Sequence, residues 1–392
     1  MRGAGLNLPA LLFIGSVCAA LTAVVAAFWT IGPYDLEVYR AGGSALWHGI
    51  SLYGHEFPHP LPFTYPPFAG WLFVPLAALP WGMTVVLWTF LTLALLAWVI
   101  AVAFAPVLPA PASPAAGWAR AVAVSGLLVA FALTSPLVDH LGFGQINVLL
   151  MALCLADLLG ARPSWLPAGV LIGLAAAIKL VPALFIVYLL MTRRPRAGLI
   201  AAGTAALATG AAAVLSFADS RRYFTDLLWH LDIRVGLNNN ATIGNQSLQG
   251  ALLRAIPVDE VRPVWLIGVL VVLAAGLWAA RRAWLVHGDL AGATATGLLA
   301  VLVSPVSWPH HLVWLVPAIG VLIGWWWRDR SRWAALLGGL TVGLLLMVRS
   351  HRLGQLLVDS YPSGVLRITG EVLRDSFMLA CAAVVVALGC AP

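Results

Sequence analysis

Charge is scarce in this sequence of 392 residues. Asp, Glu, Lys and Arg together make up 9% of the residues, whereas 61% are hydrophobic and the mean hydropathy is +0.94. So few charges cannot cover a soluble globular domain, which excludes that class. Apolar runs such as 8–30 and 83–106 reach the ~20 residues that a helix needs to cross a ~30 Å hydrocarbon core. The sequence therefore predicts a polytopic membrane protein, whose first run is a retained span and not a cleaved signal peptide.

Cysteine is also rare, and the usual nucleotide-binding and metal-binding motifs are missing. The four cysteines lie in or at the ends of apolar runs, so no disulfide framework is expected. The sequence has no P-loop and no GxGxxG segment behind a strand, which argues against nucleotide binding and against an ATP-driven pump. His55 and His59 have helical spacing, but Pro58 and Pro60 argue against a helix there. We therefore expect no metal and no cofactor.

The arginines predict the orientation of the chain. Residues 1–392 are expected to form one integral membrane domain with twelve spans, near 8–30, 83–106, 119–135, 143–160, 165–178, 180–191, 197–217, 264–280, 289–305, 312–327, 333–348 and 373–390. With a cytoplasmic N-terminus, the short loops of that side collect most of the arginines, as the positive-inside rule requires. The long loops 31–82, 218–263 and 349–372 then lie outside, and the first two are expected to form the active-site side. The net charge of +7 is thus an orientation signal, and we expect no nucleic acid partner.

Two parts of this map depart from simple spans. Residues 66–80 are bounded by prolines and too short to cross comfortably, so they are predicted to lie in the outer interface or to be partly re-entrant. The candidate spans 165–178 and 180–191 meet at "IKLVP", where Lys179 and Pro182 interrupt the apolar run. Such a break is tolerated at membrane depth only where it faces a cavity or other protein.

Two carboxylates follow the first span, in the segment "IGPYDLEVYR". On a helix, Asp35 and Glu37 would point about 200° apart, so they should not share one proton and should have separate roles. Asp35 stands at the mouth of the first span and is predicted to be functional. Glu37 is either an interfacial acid paired with Arg40 or a group that binds substrate.

Lys179 is the only lysine in the chain and lies within an otherwise apolar stretch. A cation in such a position is costly unless it faces a polar cavity or an anion, which makes it a candidate functional residue. The alternative is that its side chain snorkels to the membrane surface. An anionic phosphate is the partner that we expect.

The segment "DHLGFGQIN" brings several polar residues to the outer end of a predicted span. His140, Gln145 and Asn147 are candidates for binding substrate. Capping of the following helix by Gln145 or Asn147 is an equally good explanation. Gly142 and Gly144 would permit a close approach of the backbone to a neighbour.

Two other outer segments carry candidate ligands. In "SPVSWPHHLVW", a structural turn with an aromatic belt accounts for the prolines but not for the adjacent His310 and His311, of which at least one is expected to touch substrate. In "LNNNATIGNQSLQG", Asn238 and Gln246 could read the hydroxyls of an acceptor sugar, although a solvated loop would have the same composition.

These segments, taken in order, resemble the successive blocks of glycosyltransferase family 87. The resemblance runs from about residue 33 to about residue 317, and it rests on "DLEVYRAGGSALWHGISLYG", "LPFTYPPFAGWLFVPLAALP", "GFGQINVLLMALCLADLL", "GLAAAIKLVPALFIVYLL", "GNQSLQGALLR" and "SPVSWPHHLVWLVP". It implies an all-α membrane enzyme of the GT-C fold, with interfacial helices in the first outer loop. No motif can be assigned beyond about residue 320.

The resemblance also implies a reaction and a set of roles. The donor would be polyprenyl-phosphate-mannose, and the acceptor a glycolipid or lipoglycan of the phosphatidylinositol mannoside or lipomannan type, extended in α-1,2 linkage on the outer side of the plasma membrane. Asp35 matches the aspartate after the first span that acts as catalytic base. Lys179, His310 and His311 match motif positions, and their role at the donor phosphate is assigned from their charge. Tyr65 of "FTYPPF" is assigned to substrate binding.

Two alternatives remain open at this point. The family also includes arabinofuranosyltransferases that use a polyprenyl-phosphate donor, although "FTYPPF" and "SWPHHLVW" look closer to the mannosyltransferase branch. A transporter or flippase for a lipid-linked sugar would use the lysine and the broken helices as a binding site in the middle of the membrane. That class predicts internal repeats, which the sequence lacks.

Overall fold

A computed structural model describes residues 7–28, 32–230, 234, 240–347 and 349–390 as a bundle of helices. Within those residues there are short 3-10 turns but no β-strand. The α-helices are α1 (Leu8–Phe28), α2 (Tyr34–Trp47), α3 (Pro67–Ala78), α4 (Trp81–Ala103), α5 (Pro114–Ala132), α6 (Ser135–Phe143), α7 (Asn147–Leu158), α8 (Val170–Ile178), α9 (Leu184–Met191), α10 (Pro195–Leu215), α11 (Phe217–Thr225), α12 (Leu248–Ala255), α13 (Val258–His287), α14 (Asp289–Val303), α15 (Leu315–Asp329), α16 (Arg332–Leu346), α17 (Ser350–Ser360), α18 (Val365–Arg374) and α19 (Ser376–Cys390).

The lengths of the helices bear on the predicted number of spans. In the part of the chain that the structure describes, six helical stretches are long and apolar enough to cross a membrane, or nine if each of three bent pairs counts as one span. The expected all-helical class is confirmed. The count of twelve spans is not reproduced by helix length and stays a prediction, because several of the predicted spans correspond to short or bent helices.

The first long loop, 31–82, contains two helices that pack on each other. A proline precedes each helix, and the first residue of α3 is also a proline, whose fixed backbone angle favours a helix start. The two acids in the first turn of α2 are stabilised by the positive end of its helix dipole. The rings of Tyr39 on α2 and Phe73 on α3 stack with their centroids 4.7 Å apart. The apolar segment 66–80 is thus a short helix, as its length suggested, and its place at the membrane surface stays a prediction.

α8 and α9 form a helical hairpin in the region of the predicted spans 165–178 and 180–191. A methyl group added at Gly173 of α8 would lie 2.6 Å from the Cβ of Thr204 on α10, and one added at Gly198 of α10 would lie 2.9 Å from Leu190 of α9. α8 therefore runs alongside α10, and α9 returns to the point where α10 begins. Small residues at such a contact let two helix backbones approach closely.

The turn of this hairpin ends inside the protein. α8 has nine residues, and a helix of that length rises only about 14 Å, roughly half of the hydrocarbon thickness. The connection between α8 and α9 contains Lys179 and Pro182. Neither arm reaches the length of a straight span, so helix length does not reproduce the predicted spans 165–178 and 180–191, and they stay a prediction like the count of twelve.

The two ends of the bundle carry different polar contacts. Where the hairpin opens, Arg194 forms an ion pair with Asp289, and the carboxylate of Asp157 accepts the N–H of Gly169 at 2.9 Å, just before α8. At the far end of α10, Asp219 accepts the backbone N–H of Leu52 at 3.1 Å. The loop that follows α2 is therefore joined to α11, which follows α10, at the end of the bundle opposite to the opening of the hairpin.

Replacing Gly173 with alanine should destabilise the protein, because the new methyl group would force α8 away from α10. Overpacking of this kind typically costs about 1–3 kcal/mol. The matched control is Gly203→Ala on α10, where a methyl group would meet open space and alanine favours the helix. Thermal unfolding of the purified protein in detergent measures both changes. Equal midpoints for the two variants would contradict the close packing of the hairpin.

Candidate active site

A large cavity lies at the end of the bundle where the long loops meet, and it has a volume of about 1670 Å³. Its walls come from α2, the elbow between α6 and α7, the turn of the hairpin, the 3-10 turn Pro309–Trp314 and the start of α17. The predicted site residues that line it are Asp35, Tyr65, Gln145, Asn147, Lys179, His310 and His311. The structure therefore brings most of the candidate ligands, from distant parts of the chain, into one space.

Asp35 lies in the first turn of α2 with its carboxylate facing this cavity. Its Oδ2 accepts a hydrogen bond from Nε2 of Gln145 at 2.6 Å. Burial raises the pKa of this carboxyl to about 6, while the bond from Gln145 and the positive charge of Lys179 act in the opposite direction. A carboxyl group that titrates near neutral pH has the basicity of a general base.

Two amide side chains link this carboxylate to the lysine. Oε1 of Gln145 accepts from Nδ2 of Asn147 at 3.1 Å, and Oδ1 of Asn147 accepts from Nζ of Lys179 at 2.9 Å. A second bond from Nδ2 of Asn147 reaches the backbone carbonyl of His310 at 3.2 Å. This hydrogen-bonded series, Asp35 to Gln145 to Asn147 to Lys179, therefore holds a carboxylate and a cation in one arrangement.

The Lys179 ammonium group has no carboxylate in ion-pair contact among the described residues. Its Nζ lies 5.3 Å from the centroid of the Tyr65 ring, which is within the range of a cation–π contact. An ammonium group has three donors, and Asn147 uses one of them. The cavity therefore contains a cation that can still receive an anion.

Tyrosines form the wall beside the carboxylate. The hydroxyl groups of Tyr39 and Tyr65 lie 2.8 Å apart, and the hydroxyl of Tyr39 also donates to Oε1 of Gln145 at 3.3 Å. The hydroxyl of Tyr53 donates to the backbone carbonyl of Tyr65 at 2.6 Å. These contacts hold the Tyr65 ring in place beneath the lysine.

A tight elbow carries Gln145 and Asn147 to Asp35. α6 and α7 meet at 108°, and Gly144 between them has a φ of +66°, in the left-handed region that favours glycine. A methyl group at this position would lie 2.8 Å from the Cβ of Leu36 and 3.0 Å from that of Pro33. The expectation that Gly144 permits close approach is confirmed, and the partner is the start of α2.

The three predicted histidines have different positions. His310 and His311 line the cavity, with their ring centroids 4.8 Å apart, and His310 packs on Phe143 at 4.9 Å. His140 is fully buried behind the wall, where its Nε2 accepts the backbone N–H of Val148 at 3.2 Å. His140 therefore does not line the cavity, and its binding of substrate stays a prediction. It caps α7, a role that the sequence had suggested for Gln145 or Asn147.

Other predicted ligands do not line the cavity. Glu37 lies 3.4 Å from His59, whereas Arg40 donates to the backbone carbonyl of Leu79 at 3.1 Å, so the expected pairing of Glu37 with Arg40 is corrected. Gln246 is fully buried and donates to the carbonyl oxygens of Ile243 at 2.7 Å and Arg374 at 2.8 Å. It ties the loop before α12 to the end of α18. Asn238 lies outside the described residues.

Some cavity residues were not predicted from the sequence. Tyr39 is four residues after Asp35 on α2, so helical periodicity could have indicated it. Arg349, His351 and Arg352 also line the cavity. They belong to the C-terminal part of the chain, where no motif signals a role.

The fold is that of a polytopic membrane protein, and one cavity holds a buried carboxylate and a cation that has no ion-pair partner among the described residues, an arrangement suited to a membrane glycosyltransferase. Residues 63–305 match the profile of glycosyltransferase family 87, and the chain belongs to this family. The prediction of the family from the sequence blocks is confirmed.

Named relatives are similar to this chain over most of its length. It is 39% identical to the polyprenol-phosphate-mannose-dependent alpha-(1-2)-phosphatidylinositol mannoside mannosyltransferase of Mycobacterium tuberculosis, over 80% of this chain and 76% of that protein. It is 36% identical to the protein of the same description from Mycolicibacterium smegmatis, over 88% and 83%. A third relative, a polyprenol-phosphate-mannose-dependent alpha-(1-2)-phosphatidylinositol pentamannoside mannosyltransferase of M. tuberculosis, is 36% identical over 76% and 67%. No solved structure matches the chain significantly.

Replacing Gly144 with alanine should lower transferase activity strongly, because the elbow could no longer pack on the start of α2. We expect the Gln145 side chain to lose its short bond to Asp35. The control is Gly126→Ala on α5, which does not line the cavity and where a methyl group would meet open space. Initial rates of sugar transfer measure the difference. Retention of full activity by Gly144→Ala would contradict the role of the elbow.

The pH dependence of kcat/KM should have an acid limb with its midpoint near the pKa of the Asp35 carboxyl, about 6. The reactive form is the carboxylate, so activity should be present above this pH and fall as the pH drops through it. Gln145→Leu removes a hydrogen bond that favours the charged form, and the midpoint should therefore move to higher pH. A midpoint that stays unchanged in this variant would show that another group controls the limb.

Proposed function

We propose that this protein transfers mannose from polyprenyl-phosphate-mannose to an acceptor of the phosphatidylinositol mannoside or lipomannan type, in α-1,2 linkage. The observation that carries the proposal is the hydrogen-bonded series from Asp35 through Gln145 and Asn147 to Lys179, inside one large cavity. The activities for which the relatives are named support the donor, the acceptor class and the linkage.

The two ends of this series suit the two halves of a displacement reaction. The oxygen of an acceptor hydroxyl attacks C1 of the mannose, and Asp35 takes the proton of that hydroxyl. The bond between C1 and the phosphate oxygen breaks, and the polyprenyl phosphate leaves with the bonding electrons. Negative charge grows on the phosphate as it leaves, and Lys179 with His310 and His311 stabilises it.

One displacement of this kind inverts the anomeric centre, so a β-linked mannosyl phosphate gives an α-mannoside. The phosphate is already a good leaving group, and a general acid is not needed. This accounts for a site with one carboxylate at the reacting centre, whereas glycosidases use a pair. Glu37 contacts His59 outside the cavity and takes no part in this mechanism.

The size of the cavity supports two lipid-linked substrates. Pockets for a single small molecule have volumes of about 300–1,000 Å³, and this cavity reaches about 1670 Å³. Apolar side chains such as Leu150, Phe185 and Leu266 contribute to its lining and suit the lipid tails.

We also propose that the cavity faces the outer side of the plasma membrane. The opposite end of the bundle carries Arg162 and Arg194, which belong to the arginine-rich short loops. Positive residues in short loops favour the cytoplasmic side. A donor carried by a polyprenyl lipid can reach an outer cavity through the membrane, whereas a sugar nucleotide in the cytoplasm cannot.

The test is mannose transfer by the purified protein in nanodiscs, from radiolabelled polyprenyl-phosphate-mannose to a phosphatidylinositol mannoside. Asp35→Asn should lower kcat by about 10²–10⁴-fold, the usual contribution of a general base, while donor binding is retained. Lys179→Gln should lower kcat and also weaken donor binding, because it removes the cation beside the phosphate.

Asp359→Asn is the matched control, since it makes the same change at an exposed carboxylate on α17 that does not line the cavity. Polyprenyl-phosphate-arabinose and a sugar nucleotide serve as alternative donors. Transfer from either of these but not from the mannosyl lipid would overturn the proposed donor. Equal turnover of Asp35→Asn and wild type would remove Asp35 from the role of base.

A further inference from the structure

The cavity is lined by more positively charged side chains than carboxylates. The carboxylates that line it are Asp35 and Asp139, whereas the lysine and arginines that line it are Lys179, Arg234, Arg262, Arg349 and Arg352. In a chain with only 9% charged residues, such an excess of cations in one cavity needs an anionic ligand. The proposed reaction uses one of these cations, Lys179, for the donor phosphate.

Two of the remaining arginines lie together at the start of α17. Arg349 precedes the first residue of the helix and Arg352 follows three positions later, a spacing that puts both on one side of the first turn. Ser350, between them, is anchored by its hydroxyl, 3.2 Å from that of Ser376 on α19. The position of the arginine pair is therefore set by the packing of α17 on α19.

These two side chains are exposed and have no ion-pair partner among the described residues. The other arginines of the same region differ in this respect. Arg254 and Arg374 both pair with Asp375, and Arg367 pairs with Glu371. The carboxylate of Asp139 lies near enough to feel the charge of both arginines but forms no ion-pair contact with either, so both guanidinium groups can still bind a ligand at the cavity.

The surroundings of the pair indicate a ligand at the membrane surface. α17 and α18 expose large apolar side chains, among them Leu356, Val365 and Ile368, each more than 60% exposed. Helices with an apolar face and a charged face lie in the interface between lipid tails and head groups. The phosphate of a glycerophospholipid lies at that level of a membrane, so a lipid bound at this face would bring its phosphate to the arginines.

We propose that Arg349 and Arg352 bind the phosphodiester group of an anionic glycerophospholipid acceptor, while Lys179 binds the phosphate of the donor. This inference rests on the proposed function and adds a second phosphate site to it. The guanidinium group of arginine suits this task, because its planar set of donors matches two phosphate oxygens at once. The site lies outside residues 63–305, the part that matches the family profile.

The test compares two acceptors with the same sugar. One is a phosphatidylinositol mannoside and the other is an alkyl mannoside without phosphate, both in nanodiscs of neutral lipid with polyprenyl-phosphate-mannose as donor. Arg349→Gln with Arg352→Gln should raise the KM for the phospholipid acceptor by about 10–100-fold, as expected for the loss of charged hydrogen bonds. The KM for the alkyl mannoside and the KM for the donor should not change.

Controls separate the alternatives. Arg367→Gln removes an arginine from α18 that pairs with Glu371 and does not line the cavity, and it should alter neither acceptor KM. Arg349→Lys with Arg352→Lys should restore part of the affinity for the phospholipid acceptor. Adding inorganic phosphate tests whether the pair binds any phosphate: strong competition with the phospholipid at millimolar concentration would overturn the assignment to a lipid acceptor.

Each outcome leads to a different conclusion. If the wild type transfers mannose to neither acceptor, the proposed function itself fails. If it transfers to both, and the double variant loses activity equally with both acceptors, the arginines have a structural role and the inference is overturned. A raised KM for the donor would assign the pair to the donor phosphate instead. Transfer to the alkyl mannoside at the wild-type rate shows that the variant is folded.

Discussion

The site depends on the way in which a lysine ammonium group is held within the membrane domain. A charge at this depth is costly to desolvate, so it must have polar partners. Among the described residues, the partner of Lys179 Nζ is the amide oxygen of Asn147 at 2.9 Å and not a carboxylate. An amide solvates the ammonium group without neutralising it. The positive charge therefore remains available to a phosphate, and the same amide connects it to the base through Gln145.

Close contacts between helix backbones bring these groups together. The hairpin of α8 and α9 carries the lysine into the protein, and it can do so because Gly173 lets α8 pack tightly on α10. The elbow at Gly144 packs on the start of α2, which places Gln145 against Asp35. At both glycines a methyl group would collide with a neighbouring helix. The geometry of the site therefore requires glycine at these two positions as well as the polar side chains that line the cavity.

The electrostatics of the cavity account for both the chemistry and the substrates that we propose. Burial raises the pKa of the Asp35 carboxyl. The positive charge of Lys179 acts against this rise, although its ammonium group does not contact the carboxylate. Around this pair the cavity has more cations than carboxylates and a partly apolar lining. Such a space suits lipids with phosphate head groups, and its positive charge is divided between a lysine in the turn of the hairpin and arginines that include the exposed pair at the start of α17.

The sequence by itself determined the class of the protein, its family and the two residues at the centre of the site. Hydropathy is a sum over local composition, and a single lysine or aspartate in an apolar chain stands out without any knowledge of the fold. Only the tertiary structure decided that Gln145, 110 positions away in the chain, donates to Asp35. It also decided that His140 caps a helix, that Gln246 lies away from the cavity, and that the segment around Lys179 is a hairpin. The physical reason is that spacing along a chain predicts the face of a helix on which a residue lies, whereas its contacts depend on which other helices pack against that face.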